Sequence, residues 1–80
     1  MSSPETLADL AVGERGVIQR ITAARPLAVR LMELGLVEGT EVTIKRRAPL
    51  GDPLELEVRN YALSIRRDEA RCVRISRAAP

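Results

Sequence analysis

The sequence predicts an all-β fold: a small, partly open antiparallel barrel of about five strands with one short α-helix plugging one end. Three observations point there. Apolar and polar residues alternate in short runs, most cleanly over residues 54–59, which is the period of a strand with one buried face. Gly and Pro break the chain often, so that only short runs lie between turns. One stretch alone, residues 26–34, has the apolar spacing of a helix. A flat sheet of this kind would leave its edges exposed, and curling reduces that exposure.

Residues 1–6 are polar and read as a tail, as do 77–80, leaving an ordered core over 7–76 of a single domain. Leu7, Leu10 and Val12 precede a turn at Gly13 and Glu14. Residues 15–22 read as a strand whose apolar positions, Val17, Ile18 and Ile21, break strict alternation and so predict a bulge. Leu27, Leu31 and Leu34 then form a helical stripe, with Pro26 at the first helical position and Arg25, a poor N-cap, before it. Gly35 suits the left-handed position that ends a helix, and Leu36 can fold back on Leu31. Gly39 supplies positive φ for a type II turn at residues 37–40.

Residues 41–47 form the next strand, with Val42 and Ile44 on one face, and residues 48–53 are a loop by composition. In the strand over 54–59, Leu54, Leu56 and Val58 face inward while Glu55, Glu57 and Arg59 face out. Asn60 tolerates positive φ and turns the chain into a strand over 61–65. Residues 66–70 make one helical turn, and residues 71–76 close the chain as a strand with Val73 and Ile75 inward. The period-based core is Leu10, Val17, Ile21, Leu31, Leu34, Val42, Ile44, Leu56, Val58, Leu63, Val73 and Ile75.

Composition narrows the function. The chain has 80 residues, 45% hydrophobic and 30% charged, and a domain this small buries only about 60–65% of the surface its unfolded chain exposes. No apolar run reaches the length of a membrane span, and the N-terminus lacks the basic and apolar regions of a signal peptide. The single cysteine, Cys72, cannot form an internal disulfide, so the expected compartment is the cytoplasm. A net charge of +2 and one aromatic residue, Tyr61, do not make a nucleic-acid binder. A basic RNA-binding barrel would need Arg46, Arg47, Arg66, Arg67 and Arg71 to share one patch.

Catalytic patterns are missing from the sequence. With no His, no Ser–His or Cys–His pair exists. Gly13 and Gly16 lack the third glycine and the following helix of a phosphate loop. Glu55 and Glu57 lie about 7 Å apart on one strand face, where a solvated outer face explains them far better than an acid/base pair would. No cofactor is required. A divalent transition metal such as iron or zinc could be held only weakly, by Asp52, Glu55 and Glu57 shared between two molecules or with help from Cys72, which has basic neighbours and otherwise reads as a structural thiol.

Two segments carry more information. Val29 and Met32 lie off the helix stripe, beside Arg30 and Glu33; they either pack at the helix edge or form a contact surface. The loop Ala48-Pro49-Leu50-Gly51-Asp52-Pro53 is stiff, and Leu50 at its tip either tucks beneath it or stays exposed as an apolar anchor. The expected partner-binding set is therefore Val29, Arg30, Met32 and Glu33 with Pro49, Leu50, Gly51, Asp52 and Pro53.

The same segments resemble the FeoA family. Arg30-Leu31-Met32-Glu33-Leu34-Gly35-Leu36 followed by Glu38-Gly39-Thr40 is similar to that family's RLxELGL and GT stretch, residues 48–53 to its APLGDP loop, and residues 63–70 to its ALRxxEA segment. The resemblance runs over residues 7–75. Asn60 stands where the family often has Gly, Glu38 where it often has Pro, and Ser64-Ile65 where Ala-Leu is commoner. The resemblance implies an SH3-like barrel that supports bacterial ferrous iron uptake by acting on FeoB, a membrane permease with a cytosolic GTP-binding domain. Similar domains occur at the C-terminus of DtxR-like repressors; an initial Met and the lack of DNA-binding helices favour the stand-alone form here. The expectation is a cytosolic, non-enzymatic interaction module with no nucleic acid, no membrane insertion and at most weak homo-oligomers; the alternative is a metal-binding or metal-sensing accessory domain.

Overall fold

Alternation governs the sheet. Leu54, Leu56 and Val58 are completely buried while Glu57 between them is exposed. The computed structural model describes residues 5–77, and six strands build one sheet: β1 (Glu5–Thr6), β2 (Arg15–Ile21), β3 (Glu41–Arg47), β4 (Leu54–Val58), β5 (Tyr61–Ile65) and β6 (Val73–Arg77). Every pairing is antiparallel, in the order β1-β6-β2-β3-β4-β5, so the last strand in sequence lies between the first two. The sheet curls without closing and leaves β1 and β5 as edges. A 3-10 helix (Leu7–Asp9), α1 (Arg25–Glu33) and the single turn α2 (Arg67–Ala70) complete the fold.

The all-β reading and most strand positions hold, with local corrections. Glu5 and Thr6, expected in a tail, pair with Ile75 and Arg74; backbone pairing needs no apolar side chain, so alternation could not reveal this strand. Arg77, also expected in a tail, ends β6 and pairs with Gly16; the rest of the expected tails, residues 1–4 and 78–80, lies outside the described residues. The final strand starts at Val73 rather than Arg71, because α2 and its exit use the residues before it. The expected bulge in β2 falls between Ile18 and Arg20, and it turns Ile18 into the core while Val17 and Ile21 stay half-buried. A second irregularity, between Ile44 and Arg46, lets Lys45 and Arg46 both face solvent. The core also takes in Leu7, Leu36, Leu54, Ile65 and Ala70; Leu34 and Leu63 pack against it half-buried.

The β4–β5 hairpin corrects another expectation. Val58 pairs with Tyr61, so only Arg59 and Asn60 turn the chain. The positive φ, 55°, falls on Arg59 and not on Asn60, because a two-residue hairpin of the primed type needs it at its first position. Left-handed backbone costs a non-Gly residue about 1–2 kcal/mol, and Gly loses about 0.5–1 kcal/mol more in ordering. Arg59→Gly should thus stabilise the fold by about 0.5 kcal/mol, read as a raised urea midpoint; a lowered midpoint would contradict the turn assignment.

The chain ends are held by charge. Arg77 on β6 bonds Glu5 on β1 at 2.8 Å and Glu14 before β2 at 2.7 Å. The Arg77 hydrogen bond, followed by the Ala11 N–H at 2.7 Å, holds the Glu14 carboxyl below its ordinary 4.5. A depressed folded value stabilises above the unfolded value and is lost as pH falls through the folded one. Glu14→Gln should therefore flatten the acid limb of a plot of unfolding midpoint against pH, below about 4.5. An acid limb of unchanged slope would show that the contact carries no linkage.

Candidate partner-binding site

The helix is placed by its ending. Gly35, at φ +102°, donates its N–H to the Met32 carbonyl at 3.0 Å, and Leu36 donates to Leu31 at 3.1 Å. These are the two bonds of a Schellman ending, and Leu36 lies fully buried with Leu31 in one core cluster. The Tyr61 hydroxyl on β5 donates to the Leu34 carbonyl, joining the helix end to the sheet. The start is weaker and one residue earlier than expected: Ala24 is the N-cap, with no side-chain bond, and Pro26 is the second helical residue.

The loop over residues 48–53 is closed by its own backbone. Ala48 N–H bonds the Pro53 carbonyl at 3.1 Å, and Gly51, at φ +84°, donates to Ala48 at 2.7 Å. The Asp52–Pro53 peptide is cis. Asp52 Oδ1 accepts the Arg67 N–H at 3.0 Å, which fastens the loop to the start of α2. Leu50 stands at the tip, 92% exposed. The loop thus presents an apolar side chain on a hydrogen-bonded base.

Among the helix residues, Val29 and Met32 are exposed, at 38% and 47%. Arg30 forms an ion pair with Glu69 of α2, a link between distant segments that sequence spacing does not reveal. Glu33 is exposed, as are Pro49, Asp52 and Pro53, while Gly51 is half-buried. Arg30 and Pro53 share a groove of 640 Å³ with Leu34, Leu63, Ser64 and Arg66, between α1, β5 and α2. Met32 lines a different hollow, 290 Å³, with Ile21, Ala28, Leu36 and Val37. Tyr61, Leu63 and Glu69 thus join the surroundings of the site although their pattern marked them only as strand and helix residues.

The metal candidates are spread over separate contacts. Asp52 serves α2, Glu55 faces Arg46 and Glu57 faces Lys45, each pair at 3.6 Å. The half-buried Cys72 thiol lies 3.6 Å from the Asp68 carbonyl. Among the described residues no three Cys, Asp or Glu gather as a group able to hold a metal ion. Several of the arginines have partners of their own. Arg46 pairs with Glu55 and Arg71 with Asp68. Arg47 bonds the Ala8 carbonyl at 3.0 Å and also that of Leu10. No helix among the described residues is long and apolar enough to cross a membrane.

Comparison with known proteins matches this arrangement. Residues 5–77 match the FeoA domain family. A relative from Porphyromonas gingivalis, a fusion of Fe(2+) transport protein A with the Fe(2+) transporter FeoB, is 34% identical over 64 residues; these are 80% of this chain and 8% of that protein, so the chain spans a small part of that relative. A solved FeoA-like protein from Clostridium acetobutylicum superimposes with a TM-score of 0.88 at 29% identity, covering 100% of this chain and 93% of that one. The zinc complex of FeoA from Stenotrophomonas maltophilia, described as a prokaryotic SH3 domain protein and a candidate ferrous iron transport activating factor, superimposes at 0.80 with 30% identity over 90% of this chain and 89% of that one. The open antiparallel sheet is thus SH3-like, and the family is tied to ferrous iron transport. From the loop, the helix ending and the match across all described residues, the chain belongs to the FeoA domain family.

Proposed function

We infer that this FeoA domain is a cytosolic interaction module that supports bacterial ferrous iron uptake by contacting a FeoB-type permease on its cytosolic face, by binding and not by catalysis. The observation that carries the reading is Leu50, an almost fully exposed leucine on a loop closed by its own hydrogen bonds. Such a side chain loses little conformational freedom on docking, and interfaces concentrate their energy in a few buried anchors. The fusion relative supports the choice of partner, since it joins the two proteins in one chain. Val29, Arg30, Met32 and Glu33 on α1, with Pro49, Gly51, Asp52 and Pro53 around the tip, make up the rest of the contact set.

Leu50→Ala should weaken binding to the permease's cytosolic GTP-binding domain by about 1–2 kcal/mol, measured by calorimetry. The urea midpoint should barely move, because the side chain touches no core. Unchanged affinity would remove the loop from the interface, and a large loss of stability would make Leu50 a packing residue instead.

A further inference from the structure

The two edges of the sheet are not alike. β1 is two residues long and is followed at once by the 3-10 helix. β5 is five residues long, Tyr61-Ala62-Leu63-Ser64-Ile65, with no charge, no proline and no register shift against β4. Natural edges are commonly blunted by one of those devices, because an open edge is a template for another strand. The register shows which groups are on offer. Val58 and Tyr61 close a two-residue hairpin and exchange hydrogen bonds, so the pairs Leu56–Leu63 and Leu54–Ile65 do so as well. Ala62 and Ser64 then direct their N–H and C=O groups away from β4, and both residues are exposed. Beside this edge runs the 640 Å³ groove, with Leu34 and Leu63 along it.

We propose that the β5 edge is a docking site for an extended, acidic segment of another protein, which adds as a strand by pairing with Ala62 and Ser64 and places alternate side chains in the groove. This surface adjoins the Leu50 loop, since Pro53 and Arg30 line the same groove, but its main-chain pairing is made by β5 alone and does not depend on which protein supplies the segment. Charge identifies the occupant. Arg59 precedes the strand by two positions and Arg66 follows it directly; neither side chain makes an ion pair among the described residues. A second copy pairing β5 to β5 in antiparallel fashion would bring the Arg59 end of one copy to the Arg66 end of the other, cation against cation. A segment with a carboxylate at each end meets both arginines instead, across a sheet edge that discriminates little by sequence.

The test uses the full chain, labelled for NMR, and the capped peptide acetyl-Glu-Thr-Val-Thr-Val-Thr-Glu-amide. Saturating peptide should slow amide exchange at Ala62 and Ser64 by about tenfold or more, and affinity should fall with added salt. The same peptide with Gln for both Glu should bind several-fold more weakly. Ser64→Pro removes one outward donor while sparing the β4 pairing, and should abolish binding with the fold intact. If that variant does not fold, Arg66→Glu serves, and it should reverse the preference between the Glu and Gln peptides. Exchange at Ala62 and Ser64 that ignores the peptide would overturn the proposal. So would equal affinity for both peptides, or self-association in sedimentation that Arg66→Glu strengthens, which would give the edge to a second copy.

Discussion

Gly35→Ala is expected to lower the stability of the fold by about 2–3 kcal/mol. Positive φ accounts for about 1–2 of this, since an L side chain in that region crowds its own carbonyl. The remainder comes from Tyr61. An added Cβ at Gly35 would strike the Tyr61 hydroxyl, the far end of a movable ring. The ring can swing away, but then its hydrogen bond to the Leu34 carbonyl is lost, at about 1 kcal/mol. A double-mutant cycle separates the two parts. Tyr61→Phe should cost about 1 kcal/mol alone, and the pair should cost about 1 kcal/mol less than the sum of the singles. Strictly additive losses in urea denaturation would mean that the ring and Gly35 do not share this contact.

Arg47→Ala is expected to cost about as much, 2–3 kcal/mol, for a different reason. Its half-buried guanidinium bonds the carbonyls of Ala8 and Leu10, where the 3-10 helix leaves the chain without a partner on that side. Hydrogen bonds from a charged donor are worth about 1.5–3 kcal/mol each, less the cost of holding the side chain. Both bonds leave one nitrogen, Nη2, so Arg47→Lys should recover part of the loss, limited by how closely its ammonium reaches the position of that nitrogen. Arg47→Met keeps most of the apolar stem and separates packing from hydrogen bonding. Equal midpoints for Arg47→Met and the unaltered protein would show that the two carbonyls gain nothing from the arginine.

These two residues mark what was legible in the chain and what was not. Gly35 could be read from its neighbours, because a glycine between two leucines at the end of an apolar stripe has a local geometric meaning. Strand β4 was legible for the same kind of reason: its alternation is uninterrupted and its partner strands lie on both sides. Arg47 looked like one more cation in Lys45-Arg46-Arg47. Its role depends on a register shift after Ile44 and on carbonyls far away in sequence, and neither leaves a mark on residue type. Arg59 was hidden by a statistical habit, since Asn is the commoner residue at positive φ while the hairpin's closing pair decided the position. At the candidate site, the composition marked a stiff loop but left Leu50 either tucked beneath it or exposed at its tip, and the structure exposes it. The division of the helix residues between two hollows did not follow, because it depends on where α2 and Glu69 come to rest.

The placement of β6 between β1 and β2 bears on how the protein is made. The ribosome releases β1 and β2 first, yet neither gains its main partner until β6 emerges: β6 gives β1 its pairing with Ile75 and Arg74, and β2 its pairing with residues 73–77. The sheet therefore cannot grow in the order of synthesis. β2 through β5 can assemble as a meander, leaving one flank of β2 open, and the closing step waits for β6. Such non-local pairing slows folding relative to a helical protein of equal size and prolongs the exposure of unpaired strand. A nascent FeoA domain is thus most vulnerable to proteolysis and to wrong strand pairing in the interval before β6 has emerged.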